Sequence, residues 1–161
     1  MISIDGFVAG QLATWEVPGC AIAAIRNGEV VVRAGFGTRE LGKDLPVSSR
    51  SLFPIGSITK SFTAAGVAAL VDDGLLEWER PIRAYLPGFA MYDPVATERL
   101  TVLDLLSHRS GLPRHEFAWL AHPDRSRAYI ADRLRFLQPS KDIRQAFHYC
   151  NLGYMTVGHL V

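Results

Sequence analysis

The chain has 161 residues, of which 48% are hydrophobic and 20% charged; that is enough for one domain with a sizeable core, and it excludes a disordered chain. A formal net charge of +1 excludes a strong field directed at nucleic acid or an anionic membrane, and no apolar run is long enough to span a bilayer. The two cysteines, Cys20 and Cys150, lack metal-ligand spacing and read as small buried thiols, with a disulfide between them as the other reading.

In chain order, Ile4, Phe7, Val8, Leu12 and Trp15 recur at helical spacing and predict a helix that ends at Val17-Pro18-Gly19. Met1 leads almost directly into this pattern with no signal peptide, which leaves a cytoplasmic protein or one whose true N-terminus lies upstream. Two β-rich runs, Cys20 to Ile25 and Val30 to Phe36, flank Asn27-Gly28 and predict a hairpin. Leu41 to Ser51 is polar and turn-rich, a loop, and Leu52 to Ile55 reads as a short extended piece. From Ser57 to Val71 the pattern is helical, with Gly74 just past its end. Ala64 to Leu70 is apolar or small at every position, so this helix is expected to be buried on all sides with its N-terminus deep in the structure.

Pro81 to Phe89 reads as a packed loop with a helical turn. Thr101 and Asp104 have the spacing of a capping box for a short helix through Leu105 and Leu106, terminated by Gly111 and Pro113. Arg125 to Leu137 is a further helix. Its Arg125, Arg127, Arg133 and Arg135 read as a solvated face, without the interleaved aromatics that base stacking needs. A last helix starts near Asn151 and is still running at Val161. No internal repeat or low-complexity linker is present.

The chemistry centres on Gly56-Ser57-Ile58-Thr59-Lys60 at the start of the apolar helix. Residues three apart on a helix share a face, so Ser57 and Lys60 point into the same space. A serine hydroxyl needs a base to become a nucleophile, and the positive end of a helix favours an alkoxide and disfavours a protonated lysine. The Ser57 backbone N–H is also placed to donate to a developing oxyanion. Taken alone, Ser-x-x-Lys reads more readily as an N-cap serine followed by a surface lysine; the apolar helix behind it raises the functional reading. Other motifs fail here. A nucleophile elbow needs glycine where Ile55 and Thr59 stand, a Walker loop needs it at Thr59 and Pro54, and Trp119 replaces the second histidine of a zincin motif begun by His115-Glu116. Near the C-terminus, Tyr149 and Asn151 share one side of an extended stretch and Cys150 takes the other. A phenol and an amide together suit proton relay and substrate-amide binding; a core tyrosine and an N-cap asparagine are the plainer alternative. His108, within Leu105 to Pro113, reads as a structural histidine that fixes a loop.

Together these pieces resemble the serine β-lactamase-like and penicillin-binding-protein superfamily, in particular its class C β-lactamase, esterase and D-aminopeptidase branch. The similarity runs through most of the chain: Val17-Pro18-Gly19 and the hairpin, Leu52 to Ala64 around Ser57, Leu105 to Pro113, and Tyr149-Cys150-Asn151 as a Tyr-x-Asn motif. The resemblance implies that Ser57 is acylated, that Lys60 takes or shuttles its proton, that Tyr149 acts with Lys60 as general base, and that Asn151 contacts the substrate amide or orients Lys60. It implies no metal and no cofactor. The implied substrates are small molecules or peptides: D-amino-acid peptides, cell-wall peptides, esters or β-lactams, with peptidase or esterase favoured over a dedicated β-lactamase.

One departure stands out. The family's later Lys-Thr-Gly or His-x-Gly motif, on a strand bearing the second oxyanion donor, has no counterpart after Tyr149. The chain therefore reads as the N-terminal part, residues 1–161, of a single β-lactamase-like domain truncated at its C-terminus, with weak or absent activity by itself. The expected fold class is α/β in the broad sense (strictly α+β): a hairpin of an antiparallel sheet flanked by helices, plus a mainly helical region. Three competing readings are a penicillin-recognising sensor that acylates once, an inactive scaffold of the same fold, and a phosphate-binding loop at Gly56 to Ser61. Export for work on cell-wall peptides and a cytoplasmic location both fit the family. Oligomeric state is not encoded in any feature of the sequence.

Overall fold

The computed structural model describes residues 3–115, 117–121 and 123–161; Glu116 of the failed zincin pair lies outside them. The chain divides into two compact units, Met1–Pro54 and Ile55–Val161.

The first unit opens with helix α1 (Ile4–Thr14), capped by Ser3, whose Oγ accepts the Gly6 N–H at 3.1 Å. Only Val8 of α1 is buried, while Ile4, Phe7 and Trp15 are exposed, so the expected apolar stripe is covered at one position. Strands β1 (Gly19–Arg26) and β2 (Glu29–Gly37) form a two-stranded antiparallel sheet joined by Asn27 and Gly28. Both turn residues adopt positive φ, 53° and 82°, the backbone of the tight turn that matches strand twist. Ala24 pairs with Val32 and Ile25 with Val30, so the extra residue, Val31, makes a bulge on β2. In the loop that follows, Thr38 gathers the chain: its Oγ1 lies within 3.0–3.1 Å of the carbonyls of Glu40, Lys43 and Leu45. The extended piece expected at Leu52 to Ile55 forms no strand, and Leu52 is exposed. Cys20 is free and only half-buried, which corrects the expectation of two buried thiols; Cys150 is free and buried.

The second unit is mainly helical. A 3-10 turn at Gly56–Ile58 leads into α2 (Thr59–Asp72), and Gly74 follows with φ 73°. Pro81 to Phe89 packs as expected, with a 3-10 turn at Ile82–Ala84, Ile82 fully buried and Phe89 nearly so. Helix α3 (Pro94–Arg99) was not legible; Asp93 caps it and Pro94 takes the first position. Helix α4 (Val102–Leu106) starts with the capping box, Thr101 and Asp104 each bonding the other's backbone N–H. Short α5 (Phe117–Leu120), α6 (Arg127–Arg133) with a 3-10 turn at Leu134–Phe136, and α7 (Asn151–Leu160) complete the unit. The four arginines do more than face solvent. Arg125 and Arg133 sit over the Tyr129 ring, and Arg127 and Arg135 donate to the carbonyls of Gly158 and Gly88.

The core of this unit gathers Leu100, Val102, Leu105, Leu112, Leu134, Leu152 and Val157, each 0–1% exposed. It lies where α7 packs on α4 and α6. The expectation for α2 is corrected. Only Val67 of α2 is buried, Phe62 is 67% exposed, and Ser57 at its head is exposed. Its Val67, Leu70 and Val71 side packs on the core, while Phe62, Ala65, Gly66 and Ala69 are exposed. Among the described residues no helix is long and apolar enough to cross a membrane.

Candidate active site

Ser57 sits in the middle of the 3-10 turn rather than inside an α-helix. Gly56 before it has φ 52°, a conformation glycine takes without strain, and this bends the chain into the turn. Lys60 stands three residues on, at the second position of α2, so the two side chains lie about one helical turn apart on one face. Lys60 Nζ accordingly lies 3.1 Å from Ser57 Oγ. The Ser-x-x-Lys spacing thus produces the predicted shared face, at a surface turn and not at a buried helix end.

The opposite wall comes from the extended stretch before α7. Cys150, at φ −139° and ψ 115°, is the residue that precedes the helix, and its side chain makes no cap bond. Asn151 is the first helical residue, so the N-cap alternative does not hold for it. Its Oδ1 instead accepts from Lys60 Nζ at 2.6 Å. Cys150 is buried with 1% exposure, and Tyr149, pointing to the other side, brings its Oη to 2.5 Å from Ser57 Oγ. Lys60 Nζ also lies 4.8 Å from the centroid of the Tyr149 ring. All four residues singled out in the sequence therefore converge, across more than 90 residues of chain. Ser57 Oγ stands between the Tyr149 hydroxyl and the Lys60 ammonium, and the amide oxygen of Asn151 accepts from the Lys60 head group.

Residues outside these four support this arrangement, His108 as the loop-fixing histidine expected of it. His108 Nδ1 accepts the Cys150 N–H at 3.1 Å, and its ring lies against Tyr149, Tyr154 and Phe147. Burial and the nearby positive charge of Lys60 hold its imidazole below the ordinary histidine range. Tyr154 donates its hydroxyl to the Leu106 carbonyl at 2.8 Å; burial, and then Tyr149, push its phenol up. The Arg114 guanidinium sits 5.2 Å from the Tyr149 ring, a contact no sequence signal announced.

Behind the wall, Asp104 is fully buried. Its carboxylate accepts from Arg109 Nε at 2.7 Å, from Arg144 Nε and Nη2 at 3.0 and 2.9 Å, and from the Thr101 backbone and hydroxyl at 3.1 and 2.8 Å. Burial alone raises a carboxyl, but the bonds from Arg144, Thr101 and Arg109 outweigh it and hold Asp104 below the usual range. The capping box was readable in the sequence; the two arginines that complete the cluster were not. An open groove of about 660 Å³ runs beside the site, lined by Ser57, Lys60, Phe62, Asn151, Met155 and Arg127 among others.

The family model described as Beta-lactamase matches residues 4–161. The chain is 34% identical over 162 residues to unguisins hydrolase ungD′ of Aspergillus campestris, covering 96% of this chain and 30% of that protein. In structure it is similar to an octameric penicillin-binding protein homologue from Pyrococcus abyssi (TM-score 0.79, 30% identity, 96% of this chain and 36% of that one). It is also similar to a D-amino acid amidase from Ochrobactrum anthropi (TM-score 0.78, 30% identity, 98% and 43%). The chain spans about a third of the length of the curated relatives it matches.

Proposed function

Since the chain belongs to the beta-lactamase family, we propose that it carries the nucleophile half of a serine hydrolase that cleaves an amide or ester through an acyl-serine intermediate. The observation that carries this reading is the contact of Ser57 Oγ with both Tyr149 Oη at 2.5 Å and Lys60 Nζ at 3.1 Å. In this reading Ser57 Oγ attacks the carbonyl carbon and its proton passes to the Lys60–Tyr149 pair. The tetrahedral adduct collapses, the amine or alkoxide leaves with that proton, and water then cleaves the seryl ester and restores the Ser57 hydroxyl. The Ser57 N–H stabilises the oxyanion, and Asn151 holds Lys60 and meets the substrate amide. No cofactor is needed for any step. The substrate is a small amide, ester or D-amino-acid peptide, a class to which the amidase and hydrolase names of the similar proteins also point. We take residues 1–161 to be the N-terminal part of one such domain, with weak activity by itself.

Intact-mass measurement after exposure to a serine-reactive fluorophosphonate, and separately to a penicillin, tests this. The chain, the same protein extended to the length of its relatives, and Ser57→Ala are compared. The expected result is a single adduct that Ser57→Ala abolishes, with faster labelling in the longer form. Stable acylation by penicillin without turnover would favour a sensor. No adduct on the folded longer form would overturn the acyl-serine reading and leave a scaffold.

A further inference from the structure

His108 belongs to neither side of the Ser57–Lys60 pair, yet it grips the stretch that carries Tyr149. It follows α4 with a left-handed backbone, φ 58°, and is 8% exposed. Its carbonyl accepts the His148 N–H at 2.8 Å, and its Nδ1 accepts the Cys150 N–H at 3.1 Å. The amides on both sides of Tyr149 are thus tied to one residue. Between those ties the Tyr149 ring lies 4.5 Å from the imidazole, tilted by 33°. A displacement of this stretch moves Tyr149 Oη away from Ser57 Oγ, from which it lies 2.5 Å.

We propose that His108 is the positioning residue for Tyr149, and that Ser57 reacts at full rate only while the His108 imidazole is neutral; this rests on the acyl-serine reading above. An imidazolium carries N–H on both nitrogens. Nδ1 would then face the Cys150 N–H donor to donor, and the tie on the C-terminal side of Tyr149 would open. Lys60 on α2 repels a second cation. Tyr154 on α7 has its hydroxyl committed to the Leu106 carbonyl, and Tyr149 stacks on the ring. On the segment of His108 itself, the Arg109 guanidinium is held on Asp104. The His148 ring is turned to Ser140 at 3.1 Å. The ring is also held neutral by its burial, so the loss falls in acid, below the ordinary histidine value of about 6.5.

Asparagine separates position from charge. It tolerates positive φ, offers Oδ1 as an acceptor where Nδ1 stands, and cannot be protonated. The test is the pH dependence of Ser57 labelling by a fluorophosphonate, from about pH 4.5 to 8, in the wild type, His108→Asn and His108→Leu. The Cys150 amide is followed in parallel by NMR with selectively labelled cysteine. The ratio of His108→Asn to wild-type labelling is expected to rise by about tenfold per pH unit below the His108 titration, because every other acid limb is common to both. His108→Asn is expected to recover labelling near pH 7.5 that His108→Leu loses, and the Cys150 amide shift is expected to follow His108. A constant ratio across the range, or a Cys150 amide indifferent to the His108 titration, would overturn the inference and leave the acyl-serine reading standing. The wild type is used in the folded form extended to the length of its relatives, and no labelling of it at any pH would overturn both.

Discussion

Helices α2 and α7 lie against each other, yet they are held very differently. Helix α7 buries Leu152, Gly153, Thr156 and Val157; α2, with an equally apolar sequence, buries Val67 alone. The cause is in their neighbours. Helix α7 has α4 and α6 against it as well as α2, whereas α2 meets α7 and the turn that precedes it. Burial is therefore set by what surrounds a helix, and an all-apolar sequence only announces that partners are wanted. The candidate site straddles this difference. Tyr149 and Asn151 stand at the head of the well-packed helix, and Ser57 and Lys60 at the head of the lightly held one.

Leu152 is where this contrast is most sharply broken. Leu152→Ala removes a side chain that is 1% exposed and is expected to cost about 2–5 kcal/mol, read as a lower urea midpoint at unchanged slope. Asp104→Ala strips the shared acceptor from two arginines and is expected to cost about 3 kcal/mol, the low end for a broken buried pair because both guanidiniums are partly exposed. The same residue sets an acid limb. Its folded carboxyl is held below the usual range, so its stabilisation is complete above about pH 4 and is lost as pH falls toward the lowered value. Urea midpoints between about pH 6 and pH 2.5 should fall more steeply in the wild type than in Asp104→Asn; equal slopes would remove the cluster from the account of stability. Phe62→Ala on α2 is expected to change stability by about 0.5 kcal/mol or less. A loss above about 1.5 kcal/mol would show that α2 is covered in solution as α7 is.

Local signals in the sequence were read correctly where the chemistry is local. Asn27-Gly28 closes its hairpin, Thr101 and Asp104 cap α4, and Ser57 and Lys60 share a face because only three residues separate them. The Tyr149–Asn151 pair was legible through its alternation about Cys150 and through the family resemblance. What escaped lies in long-range geometry. Arg144 reaches Asp104 across 40 residues from a backbone at φ 66°, which no spacing encodes. His108 was recognised as a loop-fixing histidine, but which amide it would hold was set by the fold. The exposure of α2 contradicted its composition because composition carries no count of neighbours.

Two closures of the chain, one local and one distant, differ in how much freedom they remove. The Asn27-Gly28 hairpin joins residues three apart in sequence, Arg26 and Glu29, whereas the Ser57–Tyr149 contact closes a loop of 92 residues. Loop-closure entropy grows only as the logarithm of length, by about 0.6 kcal/mol per doubling, but it is levied before any long-range contact forms. Hairpins close in about 1–10 μs, and distant pairings wait for the elements between them. The candidate site thus joins residues as far as 92 apart in sequence, and it should assemble late. In native-state hydrogen exchange, the Lys60 amide, at the head of the lightly held helix, should open at lower free energy than the Cys150 amide, which His108 holds.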